Sequence, residues 1–168
     1  AATPLPIIMY NVPGRTGMNV TADTQLRIAH ECKSIFATKE ASGNFDQINQ
    51  ILKYKPADFM VISGDDPITL PMIALGAEGV ISVVANAYPF EFSEMVRLCL
   101  KGDYDKAKLL HFKYTDIIAS MFAEGSPSGV KAYLIEMGLC KNTFRLPVVA
   151  VSDKHLGKIK ELMKQAED

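Results

Sequence analysis

The stretch that decides the fold runs from residue 34 to residue 43 and reads Ser-Ile-Phe-Ala-Thr-Lys-Glu-Ala-Ser-Gly. It begins with a short apolar run and ends with Lys39, Glu40 and a loop that contains glycine. Continuous apolar runs of this length are typical of strands that are buried on both faces of a parallel sheet. Apolar runs that end in a polar or glycine-rich loop recur along the chain, at residues 6–10, 34–39, 58–62 and 79–84. The sequence therefore predicts a set of similar strands.

Helical patterns separate these predicted strands, at residues 21–31, 44–53 and 67–75. The first is expected to be capped by Thr21, with Leu26, Ala29 and Cys32 near helical spacing. Strands that alternate with helices predict β/α architecture. Further along the chain only helical patterns follow, at residues 91–101, 103–123, 126–137 (opened by a Ser126-Pro127 cap) and 152–166. This organisation suits either an open doubly wound sheet or half of an eight-stranded barrel, since a whole barrel needs ~250 residues.

The composition excludes several classes of protein. The chain has 168 residues, with 18 Lys and Arg against 19 Asp and Glu, and 48% of its residues are hydrophobic. This balance leaves no basic footprint for nucleic acid or for an anionic membrane surface. No uninterrupted apolar stretch approaches the ~20 residues that a membrane span needs. The three cysteines are widely spaced, so we expect three reduced, buried thiols and a cytoplasmic location.

In parallel β/α folds, the chemistry lies at the carboxyl ends of the strands. Lys39 closes its predicted strand, and its side chain would point into the mouth of a barrel. Loss of surrounding water lowers the pKa of an amine, and a neutral amine can attack a carbonyl carbon. The alternative is an ordinary lysine at the end of a strand that reaches back to water.

Other candidate residues follow neighbouring strands. Tyr10 ends the preceding strand, where its phenol would pass a proton to or from an intermediate, or is an aromatic plug at a barrel rim. Arg15 offers a planar fork for a carboxylate, or is a surface residue of a flexible loop. Gly64 would let a ligand approach the backbone closely, whereas Asp65 and Asp66 beside it argue against a phosphate.

The sequence carries none of the common cofactor motifs. It has no Walker loop, no G-x-G-x-x-G and no H-E-x-x-H. His30, His111 and His155 are isolated on predicted helices, which favours surface or packing roles over metal binding. We therefore predict chemistry that needs no cofactor and no metal, because an amine nucleophile supplies its own electron sink through an imine.

Four segments together resemble the dihydrodipicolinate synthase family. They are Tyr10-Asn11-Val12-Pro13-Gly14-Arg15-Thr16-Gly17, Thr38-Lys39-Glu40-Ala41-Ser42-Gly43, Ser63-Gly64-Asp65-Asp66 and Gly79-Val80-Ile81-Ser82-Val83-Val84-Ala85-Asn86. The resemblance covers essentially the whole chain. Ordered motifs at compatible spacings are far more specific than any one of them alone.

The resemblance implies a (β/α)8 TIM barrel enzyme with a C-terminal helical domain and no cofactor. In that family a lysine forms a Schiff base with pyruvate, and Lys39 stands at its position. The resulting enamine attacks L-aspartate 4-semialdehyde, and cyclisation frees the lysine. Tyr10 matches the tyrosine that relays protons, and Arg15 matches the arginine that helps to hold a carboxylate. Main-chain groups at the positions of Gly64 and Ile81 border bound pyruvate.

Only part of such an enzyme is present in this sequence. The resemblance assigns residues 1–102 to the C-terminal half of the barrel and residues 103–168 to the helical domain. The family's first strands, with their Gly-Thr-Thr-Gly-Glu loop, have no counterpart in these residues. The missing N-terminal half is therefore an expected partner, and the chain alone is expected to be inactive. Full-length relatives are homotetramers, so a homo-oligomer is expected as well.

Two other functions stay open. Related keto-acid aldolases, such as the N-acetylneuraminate lyases, share the Schiff-base lysine and the tyrosine. Arg15 and the run Lys39-Glu40-Ala41 favour the synthase over those enzymes. The other alternative is an inactive half-barrel that associates with itself through unpaired strand edges.

Overall fold

A computed structural model describes residues 3–167 of the chain. Its strands form one parallel sheet, in which they lie in the order of the sequence. They are β1 (Ile7–Asn11), β2 (Ile35–Glu40), β3 (Met60–Ser63) and β4 (Gly79–Val80). The four predicted strands and their parallel arrangement are therefore confirmed, with small differences at the ends of β1, β2 and β3.

The fourth strand is shorter than predicted. The apolar run at residues 79–84 predicts a full strand, whereas β4 ends at Val80. The last ladder bond runs from the N–H of Ile81 to the carbonyl oxygen of Ser63 (2.9 Å). Within the described sheet β4 pairs only with β3, so it has hydrogen bonds on one side to keep it extended. The chain then forms a 3₁₀ turn at Val84–Asn86.

The helices follow the predicted pattern. Those of the described residues are α1 (Pro13–Thr16), α2 (Ala22–Glu31), α3 (Phe45–Tyr54), α4 (Thr69–Ala74), α5 (Pro89–Leu100), α6 (Tyr104–Ala123), α7 (Ser128–Glu136) and α8 (Asp153–Glu167). The predicted cap of α2 is confirmed, because the hydroxyl of Thr21 accepts a hydrogen bond from the N–H of Thr24 (3.4 Å). A 3₁₀ turn at Asp66–Ile68 precedes α4. Within residues 3–167, every helix is too short or too polar to cross a membrane.

One helix was not predicted, and α4, α5 and α7 each begin two residues away from the predicted start. The segment expected to be a flexible loop forms the single turn α1, with Pro13 at its start and Gly17 after it in the left-handed region (φ 71°). Proline fixes a helical φ and glycine tolerates the positive φ that ends a turn. The cap predicted at Ser126 is wrong, because α7 begins at Ser128 and Pro127 occupies the N-cap position. Proline has no side-chain oxygen with which to accept the capping bond.

The chain divides into two compact units, each with its own apolar core. One unit comprises residues 3–82 and 99–102, and the other comprises residues 83–98 and 103–167. Fully buried side chains of the first unit include Ala37, Ile48, Ile51, Val61 and Met72. Those of the second include Ile117, Ile118, Met121, Tyr133 and Ile159. The domain boundary predicted at residue 102 stays a prediction.

The prediction of three buried thiols is wrong in part. Cys99 is buried and Cys140 is half-buried, but Cys32 is exposed. Helical spacing places Cys32 on the apolar face of α2, whereas α2 ends one residue earlier, at Glu31. Because Cys32 takes up non-helical angles (φ −113°, ψ 88°), its side chain leaves that face.

Candidate active site

Lys39 and Tyr10 lie next to each other at the carboxyl ends of two neighbouring strands. Tyr10 on β1 is paired in register with Lys39 on β2. The Nζ atom of Lys39 lies 5.0 Å from the centre of the Tyr10 ring, which is within the range of a cation–π interaction. Lys39 is half-buried, and Tyr10 is 50% exposed. The structure therefore brings these two predicted site residues together at an accessible surface.

Gly64 makes room for the side chain of Lys39. Gly64 follows β3, and its N–H donates to the carbonyl oxygen of Glu40 (2.8 Å). A Cβ atom at position 64 would lie 2.8 Å from Cε of Lys39 and 2.9 Å from both Cγ of Lys39 and Cβ of Ala41. These distances are shorter than van der Waals contact, so a larger residue would displace the lysine. The close approach that the sequence suggested for a ligand is made here by Lys39 itself.

Arg15 and Ile81, the remaining predicted site residues, follow the ends of β1 and β4. Arg15 is exposed on α1, which begins one residue after Val12. The side chain of Ile81 is 43% exposed, and its main-chain N–H is bound to Ser63. The roles predicted for both residues toward a ligand stay predictions.

The loop after β3 carries two acidic residues. Asp66 is buried (2% exposed) and begins the 3₁₀ turn. Burial, and then the negative charge of Asp66, raise the pKa of Asp65 above its ordinary value. The Thr69 hydroxyl donates to the carbonyl oxygen of Asp65 (3.0 Å) and thereby holds the loop. The expectation that no phosphate binds beside Asp65 and Asp66 stays a prediction.

Sequence reasoning missed the buried carboxylate of the residue that follows Lys39 in the chain. Glu40 is the last residue of β2, and its side chain is fully buried. Its Oε2 accepts hydrogen bonds from Nδ2 of Asn11 (2.8 Å), Nε2 of Gln25 (2.7 Å) and Nε2 of Gln47 (3.3 Å), and its Oε1 accepts one from the N–H of Ser42 (2.7 Å). We call these five residues the Glu40 network. All four donors are neutral, and no ion pair of the described residues includes Glu40.

The sequence does contain a signal for the Glu40 network. On α2 Gln25 is buried together with Ala22 and Ala29, whereas Leu26 is only half-buried. On α3 Gln47 is buried beside Ile48. A glutamine at a core position of a helix requires a polar partner, because an unpaired buried amide is costly. Two such glutamines on successive helices indicate one shared partner.

The three histidines lie on helices, as predicted, and their predicted surface or packing roles stay predictions. The Nε2 atom of His30 lies 3.2 Å from the carbonyl oxygen of Tyr54, and that of His155 lies 2.8 Å from the carbonyl oxygen of Ser120. Burial lowers the pKa of His111. Among residues 3–167, no group of three His, Cys, Asp or Glu side chains is arranged to hold a metal ion.

Comparison with known proteins gives a consistent result over almost the whole chain. Residues 1–166 match the dihydrodipicolinate synthetase family. The chain is 54% identical over 164 residues to the 4-hydroxy-tetrahydrodipicolinate synthase of Parabacteroides distasonis, which covers 98% of this chain and 55% of that protein. The solved dihydrodipicolinate synthase from Aquifex aeolicus superposes with a TM-score of 0.95 at 41% identity, covering 98% of this chain and 56% of that one. The chloride-inhibited enzyme from Acinetobacter baumannii, solved in complex with pyruvate, superposes with a TM-score of 0.94 at 35% identity and covers 99% and 57%.

The partial coverage of these proteins also accounts for the small number of strands in the described sheet. The chain spans about half the length of the curated relatives it matches. Its parallel sheet and following helices correspond to the matching half of barrel enzymes, so the predicted fold class is confirmed. By sequence and by structure, the chain belongs to the dihydrodipicolinate synthetase family.

Proposed function

We propose that this chain carries the imine-forming part of an enzyme that condenses pyruvate with L-aspartate 4-semialdehyde to give 4-hydroxy-tetrahydrodipicolinate. The observation that carries the proposal is the position of the Lys39 amine, 5.0 Å from the centre of the Tyr10 ring at the ends of paired strands. An amine nucleophile beside a phenol combines a group that adds to carbonyls with a group that moves protons.

The reaction begins with attack of the neutral Lys39 amine on the carbonyl carbon of pyruvate. The resulting carbinolamine loses water and becomes an imine. Loss of a proton from the pyruvate methyl group gives an enamine, whose carbon attacks the aldehyde of the semialdehyde. The amino group of the semialdehyde then adds to the imine carbon, which closes the ring and releases Lys39. We assign proton transfer during these steps to Tyr10, whose ring centre lies 5.0 Å from Nζ of Lys39.

Gly64 and Ile81 contribute to the shape of the proposed site and do not supply hydrogen bonds to it. Their main-chain N–H groups are already bound to the carbonyl oxygens of Glu40 and Ser63. They are therefore not free to donate to a carboxylate of pyruvate. Because Gly64 has no Cβ, the Lys39 side chain can occupy the space beside it, and we assign the exposed Ile81 to an apolar boundary of the site. Arg15, exposed on α1, is the residue we assign to a substrate carboxylate.

Completion of the site requires further strands. β1 and β4 each have one neighbour within the described sheet, and such open edges are templates for pairing. We propose that an N-terminal half-barrel pairs with these edges and that the complete enzyme is a homo-oligomer in the cytoplasm. An inactive half-barrel that pairs with itself is the result expected if no such half is supplied.

Trapping the imine with borohydride tests this proposal. Two samples are treated with pyruvate and borohydride and mapped by peptide mass spectrometry: the 168-residue chain, and the same residues fused behind the preceding segment of the Parabacteroides distasonis relative. We expect a reduced pyruvyl adduct on Lys39 in the fusion. An adduct in the fusion alone means that the site needs the other half-barrel, and no adduct in either sample refutes the imine chemistry.

Turnover by the fusion distinguishes the synthase from a related aldolase. The synthase function predicts consumption of L-aspartate 4-semialdehyde together with pyruvate. Cleavage of N-acetylneuraminate, without reaction of the semialdehyde, would identify a keto-acid lyase instead. Both outcomes retain the imine on Lys39, so they separate the substrate from the chemistry.

A further inference from the structure

The two residues at the end of β2 face opposite sides of the sheet. Successive side chains of a strand alternate between its faces, so Glu40 points away from the side on which Lys39 contacts Tyr10. Thr38 and Glu40 are fully buried, whereas Lys39 is half-buried. The Thr38 hydroxyl donates to Oε1 of Gln25 (2.9 Å), and Nε2 of Gln25 donates to Glu40. The reactive face of β2 is thus backed by a buried polar face.

The Glu40 network joins all of the segments that carry the proposed catalytic side chains. Through Asn11 it reaches the end of β1, one residue after Tyr10. A main-chain hydrogen bond also joins the end of β1 to the residue after β2, since the N–H of Ala41 donates to the carbonyl oxygen of Asn11 (2.9 Å). The carbonyl oxygen of Glu40 accepts the N–H of Gly64 (2.8 Å). Glu40 is therefore bonded to the end of β1 through its side chain and to the residue after β3 through its main-chain carbonyl group.

The network leaves the strand ends little freedom. A buried carboxylate without a cationic partner is tolerated only when hydrogen bonds compensate for its lost hydration. Here the donors come from β1, α2, the loop after β2, and α3. A shift of β1 relative to β2 would break the bond from Asn11 and leave a buried charge under-compensated. The arrangement with Tyr10 opposite Lys39 is the one in which all four bonds form.

We propose that Glu40 is a positioning residue. Its carboxylate accepts four hydrogen bonds and thereby fixes the ends of β1 and β2, so that Tyr10 stays beside the Lys39 amine. The expected effect of Glu40 on the trapping rate rests on the proposed imine chemistry of Lys39. Its expected effect on the contact between Tyr10 and Lys39 does not. Glu40 touches neither reacting group and acts through the strands that carry them.

Glu40→Gln is the informative variant because it keeps the size of the side chain. Its oxygen can still accept the amide donors, but its NH2 group then faces the N–H of Ser42, so that bond is lost together with the charge. Glu31→Gln is the matched control, since Glu31 is exposed at the end of α2. If Glu40→Gln does not fold, Gln47→Met takes its place. It removes the longest of the four bonds to Glu40 (3.3 Å), together with the bonds of Gln47 to Asn19 and to the carbonyl oxygen of Val20.

Two measurements are made on these variants. The first is the rate constant for borohydride-dependent trapping of pyruvate on Lys39 at saturating pyruvate, in the chain and in the barrel fusion. A loss of folded protein lowers the amplitude of trapping, whereas a displaced lysine lowers the rate constant. The second is the nuclear Overhauser contact between the Tyr10 ring and the Lys39 side chain, which needs no pyruvate.

We expect Glu40→Gln to lower the rate constant about tenfold or more and to weaken the Tyr10–Lys39 contact, because small misplacements of a reacting group have effects of this size. Glu31→Gln should change neither. An unchanged rate constant and an unchanged contact in Glu40→Gln would overturn the positioning role. If wild type traps no pyruvate but the contact still weakens in Glu40→Gln, the imine function fails and the positioning role stands.

Discussion

The two faces of β2 differ sharply in how firmly their side chains are held. On one face, Glu40 is fully buried and accepts four hydrogen bonds. On the other, the half-buried amine of Lys39 has a ring contact with Tyr10 at 5.0 Å and a glycine beneath its stem. The residues are adjacent in sequence, so the difference comes from what each face packs against. A rigid polar face supports a face whose reactive group is left accessible to react.

The comparison gives each residue a distinct expected effect. Substitutions on the reactive face should change the reaction while leaving the fold intact. Substitutions on the buried face should change the geometry of both faces. Variants on the reactive face and in the neighbouring loop separate these two effects.

Lys39→Arg should have the largest effect. It keeps a positive charge over the Tyr10 ring but removes the amine that forms an imine, so pyruvate trapping should fall to background. Peptide mass mapping after borohydride treatment of the barrel fusion measures this loss. Lys33→Arg is the control, because Lys33 is exposed just before β2. Continued trapping on the Lys39→Arg chain would place the nucleophile elsewhere.

Tyr10→Phe should slow turnover by roughly 10²-fold, the lower end of the range for loss of a general acid–base group. The phenylalanine ring preserves the contact with Lys39, so the fold and the position of the amine should be unchanged. Steady-state kinetics of the fusion measure the effect. The matched control is Tyr54→Phe, since the exposed Tyr54 also carries a lysine over its ring, Lys53 at 4.9 Å. Equal rates for the two variants would remove Tyr10 from proton transfer.

Gly64→Ala should lower both the trapping rate and stability. The added Cβ would overlap Cε and Cγ of Lys39, and overpacking of this kind typically costs about 1–3 kcal/mol in the free energy of unfolding. Gly79→Ala is the control, because a Cβ at Gly79 meets nothing within 4 Å. Denaturant unfolding and trapping are measured for both variants. A Gly64→Ala chain that traps pyruvate as fast as wild type would show that the lysine does not depend on this space.

Asp65→Asn should have the smallest effect, limited to the pH dependence of stability. Because the pKa of Asp65 is raised in the folded chain, its carboxyl favours folding when protonated. That contribution is present below the unfolded pKa and is lost as the pH rises through the folded one. The free energy of unfolding should therefore fall less from acidic to neutral pH in Asp65→Asn than in wild type. At pH 7 the variant should be the more stable of the two. Asp58→Asn, at an exposed position, serves as the control in denaturant titrations across this range.

The regular elements and the pairing at the site could be predicted because they depend on local patterns. Apolar runs located the strands, and Thr21 marked the start of α2. The end of each strand in a parallel sheet lies at one edge, which is why Lys39 and Tyr10 could be expected near each other. The length of β4 and the exposure of Cys32 depend on the neighbours of a strand edge and of a helix end, which a local pattern does not record.

The Glu40 network could not be predicted from local patterns because its members are distant in sequence. Asn11 lies 29 residues from Glu40, and Gln25 lies 15 residues away. The glutamines at core positions of α2 and α3 indicate a buried polar partner, but they do not identify it. Only the fold shows that Asn11, Gln25 and Gln47 converge on one carboxylate. The roles of Arg15 and Ile81 stay predictions for a similar reason, since they depend on a bound substrate.

The most direct test of the account is a crystal structure of the barrel fusion after reduction with pyruvate and borohydride. We predict the pyruvyl group on Nζ of Lys39, with the Tyr10 hydroxyl within hydrogen-bond distance of it and the four bonds to Glu40 intact. An adduct on another lysine, or an adduct on Lys39 with the Tyr10 hydroxyl directed away from it, would contradict the pairing of these two residues as the reactive centre.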